Sequence, residues 1–311
     1  MNDCFFPEGI IISDIENKAA LSSVASLKDA AARQTVLEAL AVKCDREHSL
    51  HVDLGVMPGI IPKNEGAVGI EDGSVRDIAL ISRVGKPVCF IVKEIKKNEN
   101  GKLYAVLSRR EAQQKCCEEY INALLPGDVI TARVTRSEPF GVFCDIGCGI
   151  PALIPIDCVS VSRIPHPSVR FFTGQLIKAI VKNRDGSGRI TLTHKELLGT
   201  WEENAAKISV GETVPGVVRS VESYGVFVEL APNLAGLAEY KSGVRIGDMA
   251  SVYIKSIIPQ RMKIKLVLID SYPALPAPTK RKYFIDTNTV KHLDRWLYSP
   301  PGCAKVIETV F

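Results

Sequence analysis

Two short segments of the chain carry aromatic side chains at the same spacing around a glycine. Phe140 and Phe143 lie one residue before and two residues after one glycine, and Tyr224 and Phe227 repeat this arrangement. Aromatic rings stack on the bases of single-stranded nucleic acid, and neighbouring Lys and Arg side chains neutralise its phosphates. The chemistry open to these segments is therefore base stacking, provided that the surrounding elements expose the rings.

The residues around Phe143 alternate in polarity, which is typical of a β-strand with one buried face. Side chains point to opposite faces of a strand in turn, so Val142, Cys144 and Ile146 share one face. Phe143 and Asp145 share the other face. The apolar face is predicted to be buried, which leaves Phe143 exposed beside a carboxylate, where a Phe side chain needs a partner.

The same alternation occurs in residues 226–230 and in residues 50–54. It places Phe227 on the exposed face, again beside a carboxylate, while a ring that completes the core is the alternative. Strict alternation would direct Phe140 and Tyr224 inward, unless the following glycine kinks the strand and brings their rings to the exposed face.

Three repeated β units are predicted between residues 35 and 271. Short runs rich in Val and Ile, bounded by Gly, Pro or Asp, are typical of an all-β protein built from small barrels. Residues 125–147 align with residues 209–231 without a gap, and residues 47–55 match part of the same pattern. The predicted divisions are an N-terminal helical segment (1–34), a degenerate barrel (35–112), a helical linker (113–124), a second barrel (125–198), a linker (199–208), a third barrel (209–271) and a Pro-rich linker with a C-terminal tail (272–311).

Helices are predicted before and between these units. Residues 16–33 are rich in Ala, Leu and Lys, with Ser26 as the expected N-cap. Residues 111–124 form one helical connector, and residues 195–208 form another, interrupted by a glycine and restarted by a Thr200 cap.

The tail begins with a proline-spaced linker that ends in the basic residues 280–282. A short helix that ends before Pro300 is expected to follow it. Trp296 and Tyr298 are expected to dock the tail onto one of the barrels.

The net charge of the chain is compatible with a polyanionic partner but does not by itself indicate one. The chain of 311 residues has 39 Lys and Arg against 35 Asp and Glu, a net charge of +4. Alternation in three further strands nevertheless places Arg133, Arg189, Lys263 and Lys265 on the faces predicted to be exposed.

Several other classes of site are disfavoured. The nine cysteines form no CxxC pair with matching histidines, so reduced, buried thiols are expected instead of zinc ligands or disulfides. The start of the chain is acidic where a secretory leader is basic, and no apolar run reaches ~18 residues. No GxSxG, Walker or HExxH signature occurs. We therefore expect a cytoplasmic, non-enzymatic protein that needs no metal or cofactor.

Two loops of the second unit have competing interpretations. Residues 183–194 begin like a calcium loop, but His194 stands where a bidentate Glu is needed, so a β-hairpin turn is predicted. An earlier loop with two prolines contains Arg163, His166 and Arg170. These three side chains could either contact a phosphate or serve packing.

These repeated motifs resemble the S1-type RNA-binding domain, the five-stranded OB-fold module of bacterial ribosomal protein S1 and of several RNA-processing enzymes. The family pattern is matched by GETVPGVVRSVESYGVFVEL and GLAEY in the third unit. The resemblance covers residues 35–271, strongly from residue 125 onwards. It implies a mainly β chain of three tandem OB-fold barrels, the first degenerate.

The resemblance also implies an RNA-binding face. Its predicted residues are Phe140, Phe143, Arg133, Asp185 and Arg189 in the second unit, Tyr224, Phe227, Arg219, Lys263 and Lys265 in the third, and His48 and His51 as weaker stacking residues in the first. The chain departs from the family at the histidine that usually follows Gly-Leu-Val, where it has Pro62, Pro155 and Glu239. A glutamate there would repel phosphate.

Two functional hypotheses follow. The first is non-catalytic binding of single-stranded RNA, specifically mRNA, in association with translation and the small ribosomal subunit. The alternative is an adaptor that binds the ribosome or another protein, with incidental RNA affinity. An enzyme is a third possibility, supported only by the fact that S1-type modules often accompany nucleases. It is weaker because no catalytic domain is left once the barrels are counted.

Overall fold

The computed structural model describes residues 5–273 and 283–311. The chain divides into two compact units. Unit 1 contains the residues up to 124 together with 131–133 and 145–151, and unit 2 contains 125–130, 134–144 and the residues from 152 onwards. The predicted basic end of the linker, residues 280–282, lies outside the described residues.

Two short helices precede the first barrel, α1 (Ile15–Leu21) and α2 (Val24–Ala32), after a 3₁₀ turn (Ile11–Ser13). The predicted helical segment is confirmed, but the predicted cap is wrong. Ser23 is the N-cap of α2, and its hydroxyl accepts a hydrogen bond from the Ser26 backbone N–H at 3.0 Å. The cap lies at Ser23 because the chain leaves the helical conformation there, between the two helices.

The first barrel is closed in the strand order β1-β2-β3-β5-β4. Leu50, Val52 and Leu54 are buried in its core, as the alternation predicts. Its elements are β1 (Leu37–Cys44), β2 (Leu50–Asp53), β3 (Pro58–Ile61), a 3₁₀ turn (Lys63–Glu65), α3 (Ile78–Ile81), β4 (Pro87–Lys97) and β5 (Leu103–Ser108).

A linker of α4 (Arg109–Glu119) and a 3₁₀ turn (Ile121–Ala123) leads to the second barrel. This barrel is closed in the order β10-β8-β7-β6-β9. Its elements are β6 (Val129–Glu138), β7 (Gly141–Asp145), β8 (Pro151–Pro155), 3₁₀ turns (Ile156–Cys158, Pro167–Val169), β9 (Leu176–Arg184) and β10 (Ile190–Thr193).

The next linker contains a 3₁₀ turn (Lys195–Leu198) and α5 (Trp201–Ala205). The predicted Thr200 cap is confirmed, because Thr200 and Glu203 form a capping box. Gly199 has a φ of +82°, and a Cβ added there would lie 2.7 Å from the Phe284 ring, so this break between the two helical pieces needs glycine.

The third barrel is closed in the order β11-β12-β13-β15-β14. Its elements are β11 (Thr213–Glu222), β12 (Gly225–Ala231), β13 (Leu234–Ala238), β14 (Met249–Ile258), a 3₁₀ turn (Pro259–Arg261) and β15 (Lys263–Tyr272). Three closed five-stranded barrels confirm the predicted fold class.

The C-terminal segment forms a two-stranded sheet of β16 (Arg295–Leu297) and β17 (Glu308–Val310). The predicted helix is therefore wrong. Burial alternates along the segment, with Trp296 and Tyr298 buried and the residue between them exposed, which suits a strand better than a helix. Trp296 and Tyr298 join the core of the third barrel together with Trp201, while Leu293 and Phe311 pack against Val129 and Ile180 of the second barrel.

None of the helices within residues 5–273 and 283–311 is long and apolar enough to cross a membrane. In the same residues, no group of three or more His, Cys, Asp and Glu side chains could hold a metal ion.

Candidate nucleic-acid interface

The second and third barrels each present one pair of aromatic rings in the same geometry. The Phe140 and Phe143 ring centroids lie 6.0 Å apart with planes at 87°. The Tyr224 and Phe227 centroids lie 6.2 Å apart at 88°. Phe140 is 56% exposed and Tyr224 is 68% exposed, while Phe143 and Phe227 are half-buried. Each pair, named a platform here, offers solvent one free ring face supported edge-on by a second ring.

Phe140 and Tyr224 are exposed because they lie in the turn before the platform strand, where strand alternation does not apply. The glycine after each ring has a packing reason. A Cβ at Gly141 would lie 2.5 Å from the Ile154 carbonyl oxygen, and a Cβ at Gly225 would lie 2.4 Å from the Ala238 carbonyl oxygen. Glycine therefore lets the neighbouring strand approach directly beside the platform.

The buried face of β7 is as predicted, since Val142, Cys144 and Ile146 are fully enclosed. The predicted exposure of Asp145 is wrong, because its side chain is 3% exposed. Within unit 1 its carboxylate accepts hydrogen bonds from the backbone N–H groups of Gly147, Gly149 and Glu8 at 2.7–2.9 Å. Burial and the nearby Glu8 carboxylate raise the pKa of Asp145 to about 6.

Glu229 occupies the matching position in β12 and is also buried, so its predicted exposure is wrong. Its carboxylate accepts hydrogen bonds from Arg219 Nε at 2.8 Å and from Arg170 Nη2 at 2.5 Å. Arg219 is therefore directed into a buried ion pair beside the platform strand. Arg170, whose role the sequence left open, packs in the same cluster.

Two lysines of the third barrel extend its platform. The strand register pairs Phe227 with Leu237, and Leu237 with Lys265, so the three side chains form one row on the outer face. Lys263 lies two residues before Lys265, and both are exposed. Leu237 is 36% exposed and was not predicted, although the alternation of LAGLA gives it the same outward direction.

The candidate residues of the second barrel, other than its two aromatic rings, differ in exposure and in hydrogen bonding. Asp185 accepts hydrogen bonds from the backbone N–H groups of Ser187 and Arg189, both at 2.9 Å, and so stabilises the turn between β9 and β10. Hydrogen bonds from Ser187 and Arg189 lower the pKa of Asp185. The predicted hairpin turn is confirmed, and it carries the exposed Arg189. Arg133 is half-buried in unit 1, where its guanidinium packs beside Gly9.

The first barrel has no ring pair of this kind among its described residues, because its imidazoles engage carboxylates. His48 Nδ1 lies 3.0 Å from Asp77, which also accepts from Lys63 at 2.8 Å. His51 Nε2 lies 2.9 Å from Asp45. The hydrogen bond from His51 lowers the pKa of the Asp45 carboxyl.

A buried charge cluster in unit 1 lies apart from the platforms. Glu8 is 5% exposed and binds Arg109 Nε at 2.7 Å and Arg83 Nη1 at 2.8 Å. Both guanidinium groups hold the pKa of Glu8 below its usual range despite burial. The Glu38 carboxylate accepts hydrogen bonds from the backbone N–H groups of Gly9 and Ile12. Burial raises the pKa of Glu38 to about 7. These contacts fasten the N-terminal segment inside unit 1.

Comparison with known proteins agrees with this architecture. Residues 125–195 match the S1 RNA binding domain family. Over 229 residues the chain is 31% identical to the small ribosomal subunit protein bS1 homolog of Bacillus subtilis (strain 168), covering 71% of this chain and 56% of that one. This chain belongs to the S1-like proteins.

Two further proteins are similar to this chain, one found by its sequence and one among solved structures. This S1-like chain is 28% identical over 258 residues to a 4-hydroxy-3-methylbut-2-enyl diphosphate reductase of Fusobacterium nucleatum subsp. nucleatum, covering 79% of this chain and 29% of that one. A crystal structure of a multidomain protein with nucleic acid binding domains from Streptococcus pneumoniae TIGR4 is 15% identical, with a TM-score of 0.24, covering 76% of this chain and 74% of that one. The S1-like chain spans about half the length of its bS1 relative.

Proposed function

We propose that this S1-like protein binds single-stranded RNA, including mRNA, through the platforms of its second and third barrels. One or two bases stack on each platform, and nearby cations hold the phosphates. The cations proposed for this role are Arg189 in the second barrel and Lys263 and Lys265 in the third. The protein acts without catalysis, in the cytoplasm and on the small ribosomal subunit.

The repeated edge-to-face ring pair carries this proposal. The pair recurs in both aligned repeats with centroid distances of 6.0 and 6.2 Å, and it leaves Phe140 and Tyr224 56% and 68% exposed, which packing into a core would not explain. Bases of any identity have a π-face, so such platforms favour single strands without demanding one sequence. Two weak platforms in one chain raise the overall affinity, because the second contact becomes intramolecular.

Arg133, Asp185 and Arg219 have supporting roles in this proposal. Asp185 shapes the turn that presents Arg189, and Arg219 neutralises the buried Glu229 beside the platform strand. Arg133 packs beside the N-terminal segment. Removal of any of these side chains would change RNA affinity through the position of neighbouring groups, without loss of a direct base contact.

Substitution of both platforms tests the proposal. We expect Phe143→Ala with Phe227→Ala to lose ~1–3 kcal/mol of binding free energy per stacked base. Because these rings are half-buried, the pair Phe140→Ala with Tyr224→Ala should be measured beside it. Fluorescence anisotropy with a single-stranded RNA oligonucleotide at one fixed salt concentration gives the affinities.

Tyr272→Ala is the matched control, since Tyr272 is a 50% exposed aromatic of the same barrel outside the platform. It should bind RNA like the parent. If both double variants bind as tightly as the parent, base stacking on the platforms is wrong.

A protein-binding adaptor is the second candidate, and the first barrel favours it. Its two histidines are paired with Asp45 and Asp77 in place of a free platform. A salt titration separates the candidates, because RNA binding that neutralises several phosphates weakens steeply as salt rises. A flat response would favour the adaptor.

A further inference from the structure

The loop between β8 and β9 is longer than its counterpart in the third barrel. It comprises residues 156–175, whereas residues 239–248 make the matching connection between β13 and β14. The shorter connection is enough to close a barrel of this type. The second barrel therefore has additional chain in this connection, as the first barrel has in residues 62–86.

One side of this loop is fastened to the third barrel within unit 2. Ser162 N–H donates to the Pro232 carbonyl at 3.3 Å, and Val161 N–H donates to the Asn233 side-chain oxygen at 2.9 Å. Arg170, 10% exposed, binds Glu229 in the strand that carries the platform of the third barrel. The loop thus bridges the two barrels that carry platforms.

Two adjacent phenylalanines at the end of the loop point in opposite directions. Phe171 is 2% exposed and packs edge-on against His194, with ring centroids 5.1 Å apart. Phe172 is 61% exposed, more than Phe140 at 56%. Phe171 packs into the core, whereas the Phe172 ring is left on the surface.

The turn that carries Phe172 is held against β6. Gly174 N–H donates to the Val134 carbonyl at 2.7 Å, and Val134 N–H donates to the Gln175 carbonyl at 2.9 Å. The next residue of β6, Thr135, donates its hydroxyl to the Phe143 carbonyl at 3.0 Å. The turn therefore lies two strand spacings, roughly 10 Å, from the backbone of Phe143.

Positive charge accompanies this ring. Arg136, with its side chain 74% exposed, follows Thr135 on β6 and forms an ion pair with Glu138. Arg163 is exposed on the bridging loop itself. In the third barrel, Gly247 N–H makes the equivalent bond to the Val218 carbonyl, which aligns Phe172 with the exposed Arg245. Both barrels thus display a side chain suited to nucleic acid at this turn.

We propose that Phe172 is a third stacking position for single-stranded RNA, with Arg163 as a phosphate contact, on the path between the two platforms. This inference rests on the proposed function, since it assumes that the platforms bind RNA. A lone exposed Phe is common on protein surfaces. Phe172 differs because its loop is fixed to both barrels and because the same loop carries the exposed Arg163.

The test compares a short RNA of about 5 nucleotides, which fits one barrel, with one of about 20 nucleotides, which spans two. Phe172→Ala should weaken binding of the long RNA by about 5-fold or more and leave the short RNA within about 2-fold of the parent. Phe172→Tyr, which keeps the ring, should restore the affinity. Val169→Ala, at a 42% exposed position of the same loop, is the matched control and should bind like the parent.

The Phe140→Ala with Tyr224→Ala variant belongs in the same series. If it loses affinity while Phe172→Ala binds the long RNA like the parent, the third stacking position is wrong and the proposed function stands. If neither variant changes affinity, the proposed function itself is wrong. Should Phe172→Ala unfold, photocrosslinking of parent protein to long RNA containing 4-thiouridine decides the matter. Crosslinks at Phe172 support the proposal, and crosslinks at the platforms without any at Phe172 overturn it.

Discussion

Replacement of Glu229 by Gln should destabilise the third barrel far more than a surface substitution would. Glu229 is 5% exposed, and it neutralises the side chains of Arg170 and Arg219, which are 10% and 12% exposed. Glutamine keeps the size of the side chain but leaves two positive charges in a poorly hydrated place. Breaking a buried ion pair by removing one partner typically costs 3–5 kcal/mol, so we expect a loss of about 3–5 kcal/mol.

Urea unfolding followed by tryptophan fluorescence is a suitable assay. The chain has 2 tryptophans, and both Trp201 and Trp296 belong to the core of the third barrel. Their emission therefore reports on the barrel that contains Glu229. The free energy of unfolding is obtained by linear extrapolation to zero urea. Glu239→Gln, at an exposed position after β13, is the control and should change it by less than about 0.5 kcal/mol.

The source of the loss can be tested by adding Arg170→Ala to the Glu229→Gln variant. If unpaired positive charge causes the destabilisation, the double variant should be more stable than the sum of the two single effects predicts. A Glu229→Gln loss below about 1 kcal/mol would refute the reasoning, since the two arginines would then be compensated by other groups or by water.

Two other predictions concern the platform and the tail. Gly225→Ala should cost ~1–3 kcal/mol in urea unfolding, since its Cβ would lie 2.4 Å from a carbonyl oxygen of the adjacent strand. Gly186→Ala, with open space around it and no positive φ, is the control and should not clash. His292 Nδ1 lies 2.8 Å from the buried Asp128, and this hydrogen bond raises the pKa of His292. The folded state therefore holds the proton more tightly, so the stabilisation is complete below about pH 6.5 and is lost as pH rises through the folded pKa. The hydrogen-exchange protection of the tail, taken relative to the intrinsic exchange rate at each pH, should be lower at pH 8 than at pH 6 in the parent. In His292→Gln the protection should be the same at both pH values.

Local pattern is sufficient to predict the barrels and one ring of each platform. The alternation of Val142, Cys144 and Ile146 specifies a buried face wherever the strand lies, because successive side chains point to opposite faces. Short strands bounded by turn residues then favour small closed barrels. The outward direction of Phe143 and Phe227 follows from the same alternation, since each ring stands between residues of the buried face.

Alternation also predicts three exposed carboxylates, of which Asp53 is exposed and the other two are buried. A strand pattern states which face a side chain occupies, but it does not state whether another part of the chain covers that face. Asp145 is covered by the N-terminal segment through Glu8, and Glu229 is covered by a loop of the second barrel through Arg170. These partners are 137 and 59 residues distant in sequence, beyond the reach of any local rule.

The three repeated β units and the outward direction of Phe143 and Phe227 therefore follow from local sequence, because alternation and turn residues act over a few neighbouring positions. Local sequence does not predict that Arg219 pairs with Glu229, that the tail is a strand anchored by Trp296, or that Phe172 stays exposed on a loop fastened to two barrels. Those outcomes depend on the packing of distant segments, and packing is settled by the whole fold.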